Sequence, residues 1–318
     1  MAQPGLAEAV EEAVAERTAG SPVDPEVKWT SRSPREIAEE VTEQGYQACS
    51  DTVRRIMTDV LGLSRRQAVK CEAGSDYEFR DEQFQHIAAR RAWYERERWP
   101  VLSIDTKKKE LLGEFFRPGQ AYTDGVLKVL DHDFPPAGQS RLIPYGVYDV
   151  TQNESLLLLA TGSDTSELAC DAIRRWWHRQ GHRRYWHASG LLVLCDCGGS
   201  NGHRLHCFKE QLHRLACYLR RDIEVAHYPP GCSKYNPIEH RLFCHLTRAW
   251  QGAALRTIQV ARDLAARVHT TTGLTLITEI ARRTYKKGQQ VSRDFLNNMP
   301  IHFHDFLPNL NYTALSWT

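Results

Sequence analysis

The sequence predicts an α/β protein: a mixed sheet flanked by helices, behind an all-α N-terminal region with a helix-turn-helix pattern. Three observations carry this. Residues 191–195 form a continuous apolar run of strand length, as expected for a buried central strand. Segments of strand texture and of helical periodicity alternate from residue 101 to residue 248. Ahead of them, two short helical segments flank Gly45.

Residues 1–30 are Ala/Glu-rich and then polar, with Gly20, Ser21, Pro22 and Pro25, which reads as a short helix and a linker. A helix-turn-helix region is expected over 31–75. Ser33-Pro34 opens its first helix, Ser as N-cap and Pro at the first helical position. Ile37, Ala38 and Val41 follow at helical spacing. Gly45 supplies the turn, and Ser50 is placed to cap a second helix carrying Val53, Ile56, Met57 and Val60. That helix presents Thr52, Arg54, Arg55 and Thr58, side chains suited to phosphates and base edges. A plain helical hairpin would show the same pattern.

Residues 76–100 read as a charged connecting helix, centred on 78–99. A catalytic domain over 101–254 follows. Residues 101–104 read as a strand, 110–116 as its hairpin partner, and 142–150 and 155–162 as two more strands joined by a Gln152-Asn153 turn. An amphipathic helix over 165–179, the strand 191–195, a helix over 201–219, a short strand 224–227 and a helix over 237–248 complete the domain. Asn236 is expected to cap that last helix, with Pro237 in its first turn. Three antiparallel-type strands, then helix, strand, helix, strand, helix is the order of a ribonuclease H-like fold. Residues 255–318 read as a helical, then irregular, extension.

Charged residues are 25% and hydrophobic residues 42% of the chain, ordinary values that argue against a mostly disordered protein. A net charge of +2 neither suggests nor excludes nucleic acid, so local clusters have to decide. Those at 107–109, 174–175, 282–287 and from Arg54 to Lys70 serve equally well as solvated faces. Nine cysteines lack the spacing of a disulfide framework, and the N-terminus lacks a signal-like apolar core. The longest apolar stretches are far too short to span a bilayer. A cytoplasmic, reduced protein with no membrane partner is expected.

Two aspartates end predicted strands, Asp105 after Val-Leu-Ser-Ile and Asp196 after Leu-Leu-Val-Leu-Cys. A carboxylate there costs desolvation unless something positive neutralises it. Ligands also gather beyond the carboxyl ends of strands in α/β sheets. Glu239 lies in the first turn of a helix fixed by Pro237. The three are candidates to converge on two Mg²⁺ ions, with Mn²⁺ as substitute. Each residue taken singly also has an ordinary reading as turn, cap or helix-dipole residue.

The surrounding words narrow the choice. Ser-Ile-Asp-Thr-Lys-Lys-Lys-Glu at 103–110, Ile-Pro-Tyr-Gly-Val-Tyr-Asp-Val at 143–150 and Asp-Cys-Gly-Gly-Ser-Asn-Gly at 196–202 are three of them. The fourth, at 227–243, contains Pro-Pro-Gly-Cys-Ser-Lys-Tyr-Asn-Pro-Ile-Glu. Together they resemble the ISAzo-type DDE transposases of bacterial insertion sequences. The Asn-Pro-Ile-Glu segment also resembles the mariner-like transposases. The resemblance implies a catalytic and metal-binding triad of Asp105, Asp196 and Glu239. It further implies double-stranded DNA as partner, a homo-oligomer on that DNA, and cleavage of element ends followed by attack of the 3′-hydroxyl on target DNA. Lys107, Lys108, Lys234 and Arg241, with Arg54 and Arg55, are the candidate DNA contacts. Gly198, Gly199 and Gly202 would admit the DNA backbone, and His227 and His240 would orient a phosphate or a carboxylate.

Three features depart from the family pattern, one being Cys232 and Tyr235 in place of the common Thr and Trp. Cys195 and Cys197 flank Asp196 and, with His203, His206 and Cys207, invite a zinc reading. Strand alternation instead puts both cysteines on the face opposite Asp196, as small core fillers. The N-terminal region is short for the family, so a truncated, non-cutting DNA-binding derivative is one alternative. A ribonuclease H-like nuclease is the other.

Overall fold

The computed structural model describes residues 3–15, 18–20, 28–30, 32–65, 78–120, 125–126, 128–130 and 140–316. The expected linker at 21–27, the end of the basic run at 66–70 and positions 76–77 lie outside the described residues. The chain divides into two compact units, Met1–Ala73 and Gly74–Thr318.

The first unit contains α1 (Leu6–Ala15), β1 (Thr18–Gly20) paired antiparallel with β2 (Lys28–Thr30), α2 (Pro34–Glu43) and α3 (Ser50–Arg55). A π-helical turn, Ile56–Val60, continues α3. Ser33 caps α2 in a full capping box with Glu36, and Gly45 takes φ +96° in the following turn. Leu6, Val10 and Val14 of α1 pack with Ile37, Val41 and Val53, so α1 shares one core with the two later helices. Two local expectations fail. The N-cap of α3 is Cys49, without a side-chain cap bond, and not Ser50. Val60 is 64% exposed because the π turn rotates it off the buried face.

The second unit opens with α4 (Arg80–Arg96). It continues through β3 (Val101–Thr106), β4 (Glu110–Leu111), β5 (Arg141–Asp149), β6 (Glu154–Thr161), α5 (Ser166–Trp176), α6 (His182–Arg184) and β7 (Gly190–Cys195). Then come α7 (His206–Leu219), β8 (Asp222–His227), α8 (Cys244–Trp250), α9 (Ile258–Ala265), β9 (Thr275–Ile280), α10 (Arg293–Asn298), β10 (Ile301–Phe303) and β11 (Asn311–Ala314). Among the described residues the sheet has nine strands in the order β10-β11-β8-β7-β3-β5-β6-β9, with β4 beside β5. Strands β3, β7 and β8 run parallel, and β5 is antiparallel to β3. This is the mixed, helix-flanked sheet of a ribonuclease H-like fold.

Three departures from expectation have physical causes. Strand β4 pairs with β5 and not β3, because it continues along β5 at Arg141–Leu142, beyond the residues 145–149 that β3 occupies. The helix after Asp196 begins at His206 and not residue 201, since Gly199–Asn201 form a 3₁₀ turn first. The C-terminal extension is not simply helical and irregular. It adds β9 parallel to β6 on one side, and β11 antiparallel to β8 on the other.

Each sheet face has its own core. Leu102, Ile104, Val193 and Val225 face α5 and α7, with Trp176 and Phe208 fully buried between them. On the other face Leu157 and Leu159 meet Ile238, Leu242, Leu246 and Trp250. Ala226, Leu192 and Val101 meet Ile87 and Tyr94 of α4. Each such aliphatic side chain contributes about 1.5–3 kcal/mol by leaving water, which keeps β3 and β7 rigid. Among the described residues no helix is long and apolar enough to cross a membrane.

Candidate active site

Because β3 and β7 are parallel, their carboxyl ends lie side by side. Asp105 stands near the end of β3 and Asp196 directly after β7. Glu239 comes from a different element, the π-helical turn Glu239–Phe243 that leads into α8. All three line one open cleft of about 410 Å³.

The helix bearing Glu239 is pinned to the strand bearing Asp105. Fully buried Ser103 accepts the Ile238 N–H at 2.9 Å and donates to Asn236 Oδ1 at 2.5 Å. Asn236 Nδ2 in turn donates to the Ile104 carbonyl at 3.1 Å. The Asn236 side chain is therefore spent on β3, and the cap expected from it is supplied by Ser103. Gly146, paired with Asp105 across β5, makes the contact possible: a Cβ there would sit 2.7 Å from Ile238 and 2.9 Å from Phe243.

On the other flank, His227 holds the main chain of Asp196. Its Nδ1 lies 2.7 Å from the Asp196 carbonyl and its Nε2 3.1 Å from Tyr312 Oη. A carbonyl only accepts, so Nδ1 carries the hydrogen and Nε2 accepts from the Tyr312 hydroxyl. Complete burial pushes the His227 pKa down to about 3, consistent with this neutral tautomer.

The carboxylates are held in a strongly unfavourable electrostatic setting. Asp105 is pushed up to about 8 by burial, then by Asp196, Glu239 and Asp164, against one N–H donated by Thr106 at 2.6 Å. Asp196 is raised by burial and by Glu239 and Asp164, and Glu239 by burial. Among the described residues no ion pair neutralises any of the three.

Asp164, which the sequence reading passed over, lines the same cleft. It accepts from Thr106 Oγ1 at 3.1 Å and pairs with Lys109 at 3.4 Å. Its position follows from Gly162, at φ +99°, which bridges to Tyr285 of the C-terminal extension. In sequence it sits in Gly-Ser-Asp-Thr just before α5, where an acidic residue reads as a helix-dipole partner.

The other expected site residues divide. Lys107 and Lys108 line the cleft, but Lys107 is buried, paired with Glu110 at 3.2 Å and set 5.3 Å over the Trp250 ring. Lys108 is exposed. Lys234 and Arg241 are exposed on either side of Glu239 in sequence and do not line the cleft. His240 engages the Lys234 carbonyl at 2.5 Å, and no carboxylate. Gly198 and Gly199 line the cleft, while buried Gly202 packs against the Cys197 and Gly199 carbonyls. In the first unit Arg54 and Arg55 are exposed, and Arg54 pairs with Asp51. The cysteines near Asp196 form no metal cluster among the described residues. Cys195 is buried 3.4 Å from His227, and Cys197 donates to the Tyr228 carbonyl at 3.0 Å.

Two carboxylates at adjacent strand ends of this mixed, helix-flanked sheet, with a third from a helical turn, share one open cleft. Residues 9–316 match the family described as Rhodopirellula transposase DDE domain, and the chain belongs to that family. It is a DDE transposase, of a family that depends on divalent metal. No curated protein matches the chain. Among solved structures it is similar to the Mos1 transposase paired-end complex with left transposon end, at 10% identity, covering 83% of this chain and 71% of that one, TM-score 0.43. It is also similar to the Mos1 strand transfer complex, at 12% identity, covering 81% and 68%, TM-score 0.43.

Proposed function

We propose that Asp105, Asp196 and Glu239 hold two Mg²⁺ ions, replaceable by Mn²⁺. With them the chain cuts phosphodiester bonds at the ends of its insertion sequence and joins the freed 3′-hydroxyl to target DNA. The observation that supports this reading is the cleft itself, where burial raises all three carboxylates, Asp105 is raised further by Asp196 and Glu239, and Asp196 by Glu239. The donor set is all oxygen, which suits hard divalent ions.

Bound there, two such ions supply charge for both the attacking and the leaving oxygen of an in-line displacement. The chain's own residues do the positioning. Ser103 and Asn236 keep Glu239 in register with Asp105, and His227 holds the main chain of Asp196. Exposed Gly198 and Gly199 leave room for a DNA backbone beside Asp196. Lys108 offers a charge to phosphates, whereas Lys107 braces Glu110 and Trp250. Asp164 acts as a fourth carboxylate at the metal edge.

Arg54 and Arg55 of the first unit, with Lys234 and Arg241 beside Glu239, are the proposed contacts to double-stranded DNA in the bacterial cytoplasm. An element has two ends and each chain one such cleft among the described residues. A homo-oligomer on paired ends follows.

The test is cleavage of labelled DNA carrying the gene's own flanks, with Mg²⁺ or Mn²⁺, by wild type and Asp196→Asn. Metal-dependent cuts at the element ends, absent from a variant that still binds DNA, are expected. If neither protein cuts and both bind, the chain is a non-cutting derivative.

A further inference from the structure

A second cluster of ligand-type side chains lies among residues that do not line the carboxylate cleft. His86 of α4, Glu224 of β8 and His304, just past β10, each bring a donor atom within 4.8 Å of the others. They come from three distant stretches of chain, so no local turn accounts for their meeting.

The hydrogen bonding of the three is incomplete in a consistent way. His86 Nε2 is buried and has no partner. A buried polar atom of this kind is normally completed by a water or an ion. His304 engages Thr313 Oγ1 through Nε2 at 3.0 Å, leaving Nδ1 for another partner. This is how ligating histidines are commonly oriented, one ring nitrogen on a hydrogen-bond partner and the other on the metal. Glu224 is buried and accepts from Arg90 Nε and Nη2, both at 2.6 Å, and from the Tyr94 hydroxyl at 3.1 Å. A carboxylate has about four acceptor sites, so one remains after those three bonds.

We propose that His86, Glu224 and His304 form a zinc site that fastens helix α4, strand β8 and the β10–β11 hairpin to one another, with water in the fourth position. Two imidazoles and one carboxylate are a donor set that zinc takes readily, and one that hard Mg²⁺ does not favour. The Arg90 fork and Thr313 hold the ligands in orientation. The role is structural: β10 and β11 close one side of the sheet, and β11 carries the Tyr312 hydroxyl that His227 uses. The site stands independently of the transposase reading.

The experiment uses the full chain, stripped with chelator, reloaded with Zn²⁺ or with Co²⁺ as a spectroscopic probe, and desalted before metal is counted. Wild type and Asp196→Asn should each retain one equivalent of zinc. His86→Phe and His304→Phe should retain none. Thr313→Val should hold zinc about 10- to 100-fold more weakly. Zinc should raise the Tm of wild type and leave that of His86→Phe unmoved. Co²⁺ should show visible ligand-field bands without thiolate charge-transfer absorption. Zinc retained equally by the histidine variants would overturn the proposal, as would none retained by wild type. A thiolate-type Co²⁺ spectrum, pointing to the cysteines, would do the same. If a histidine variant fails to fold, the wild-type Co²⁺ spectrum and zinc count decide alone.

Discussion

Ser103 accepts the backbone N–H of Ile238 at 2.9 Å, two residues before Asp105 in one direction and one residue before Glu239 in the other. Two carboxylates far apart in sequence are thereby spaced by one buried hydroxyl. Ser103→Ala leaves the Ile238 N–H and the Asn236 side-chain Oδ1 buried without it, at a cost of about 1–3 kcal/mol. Cleavage should fall on the order of 100-fold, because a small displacement of a catalytic group is costly. Thermal melts and single-turnover cleavage check the two effects separately, and DNA affinity should not move.

Gly146→Ala tests the same junction from the opposite strand. Its new methyl would overlap Ile238, Phe243 and Leu242 and press the Glu239 helix away from β5. Overpacking of this kind costs about 1–3 kcal/mol. The expected outcome is a folded protein with lowered Tm that binds DNA and cuts poorly. Unchanged cleavage would mean that the helix needs no close approach.

The raised pKa of Asp105 gives a signed pH dependence. Its folded pKa, about 8, exceeds the unfolded value of 3.8. Its contribution to stability is therefore fully present below about pH 4 and is lost as pH rises through about 8. Metal-free wild type should lose Tm across that window relative to Asp105→Asn. Divalent metal should restore stability most at the alkaline end, since binding requires the deprotonated form. Parallel melts of the two proteins from acid to alkaline pH, with and without Mg²⁺, give the answer.

Asp164→Asn should leave DNA binding intact and raise the Mg²⁺ concentration needed for half-maximal cleavage, by about 10-fold or more. A metal titration of cleavage at fixed DNA measures this. An unchanged midpoint would reduce Asp164 to a partner of Thr106 and Lys109.

Arg55→Ala, on the exposed face of α3, should weaken DNA binding about uniformly across sequences. It should also lower the slope of log affinity against log salt by about one. Arg54→Ala should do less, because Asp51 already pairs with that guanidinium.

The strand end that carries Asp196 was legible because a strand buried between parallel neighbours writes itself as an unbroken apolar run, and that of Asp105 because Val-Leu-Ser-Ile is broken only by Ser103. The start of α2 was legible for a similar reason, since a capping box is local chemistry. Asn-Pro-Ile-Glu marked the third carboxylate, yet the role of Asn236 was misread: a side chain reaching back to Ser103 leaves no trace at neighbouring positions. Strand β9 stayed hidden because its partner β6 lies more than a hundred residues away, and a six-residue Thr-Leu-Ile-Thr-Glu-Ile segment has no period strong enough to announce itself; β10 and β11 are only three and four residues long. Asp164 was obscured because a helix start explains an acidic residue without any cleft. The His86, Glu224 and His304 trio has no spacing to recognise at all.

The hydrogen-bond chain from Tyr312 through His227 to Asp196 also orders events in time. A ribosome releases Asp196 long before it has made Tyr312, and β8 spends that interval with one edge bare. The nascent polypeptide can thus collapse around α5 and α7 while its second aspartate still lacks its outer brace. The main chain of Asp196 thus gains its outer brace only when β11 docks on β8, so the two ends of that hydrogen-bond chain fold at different times.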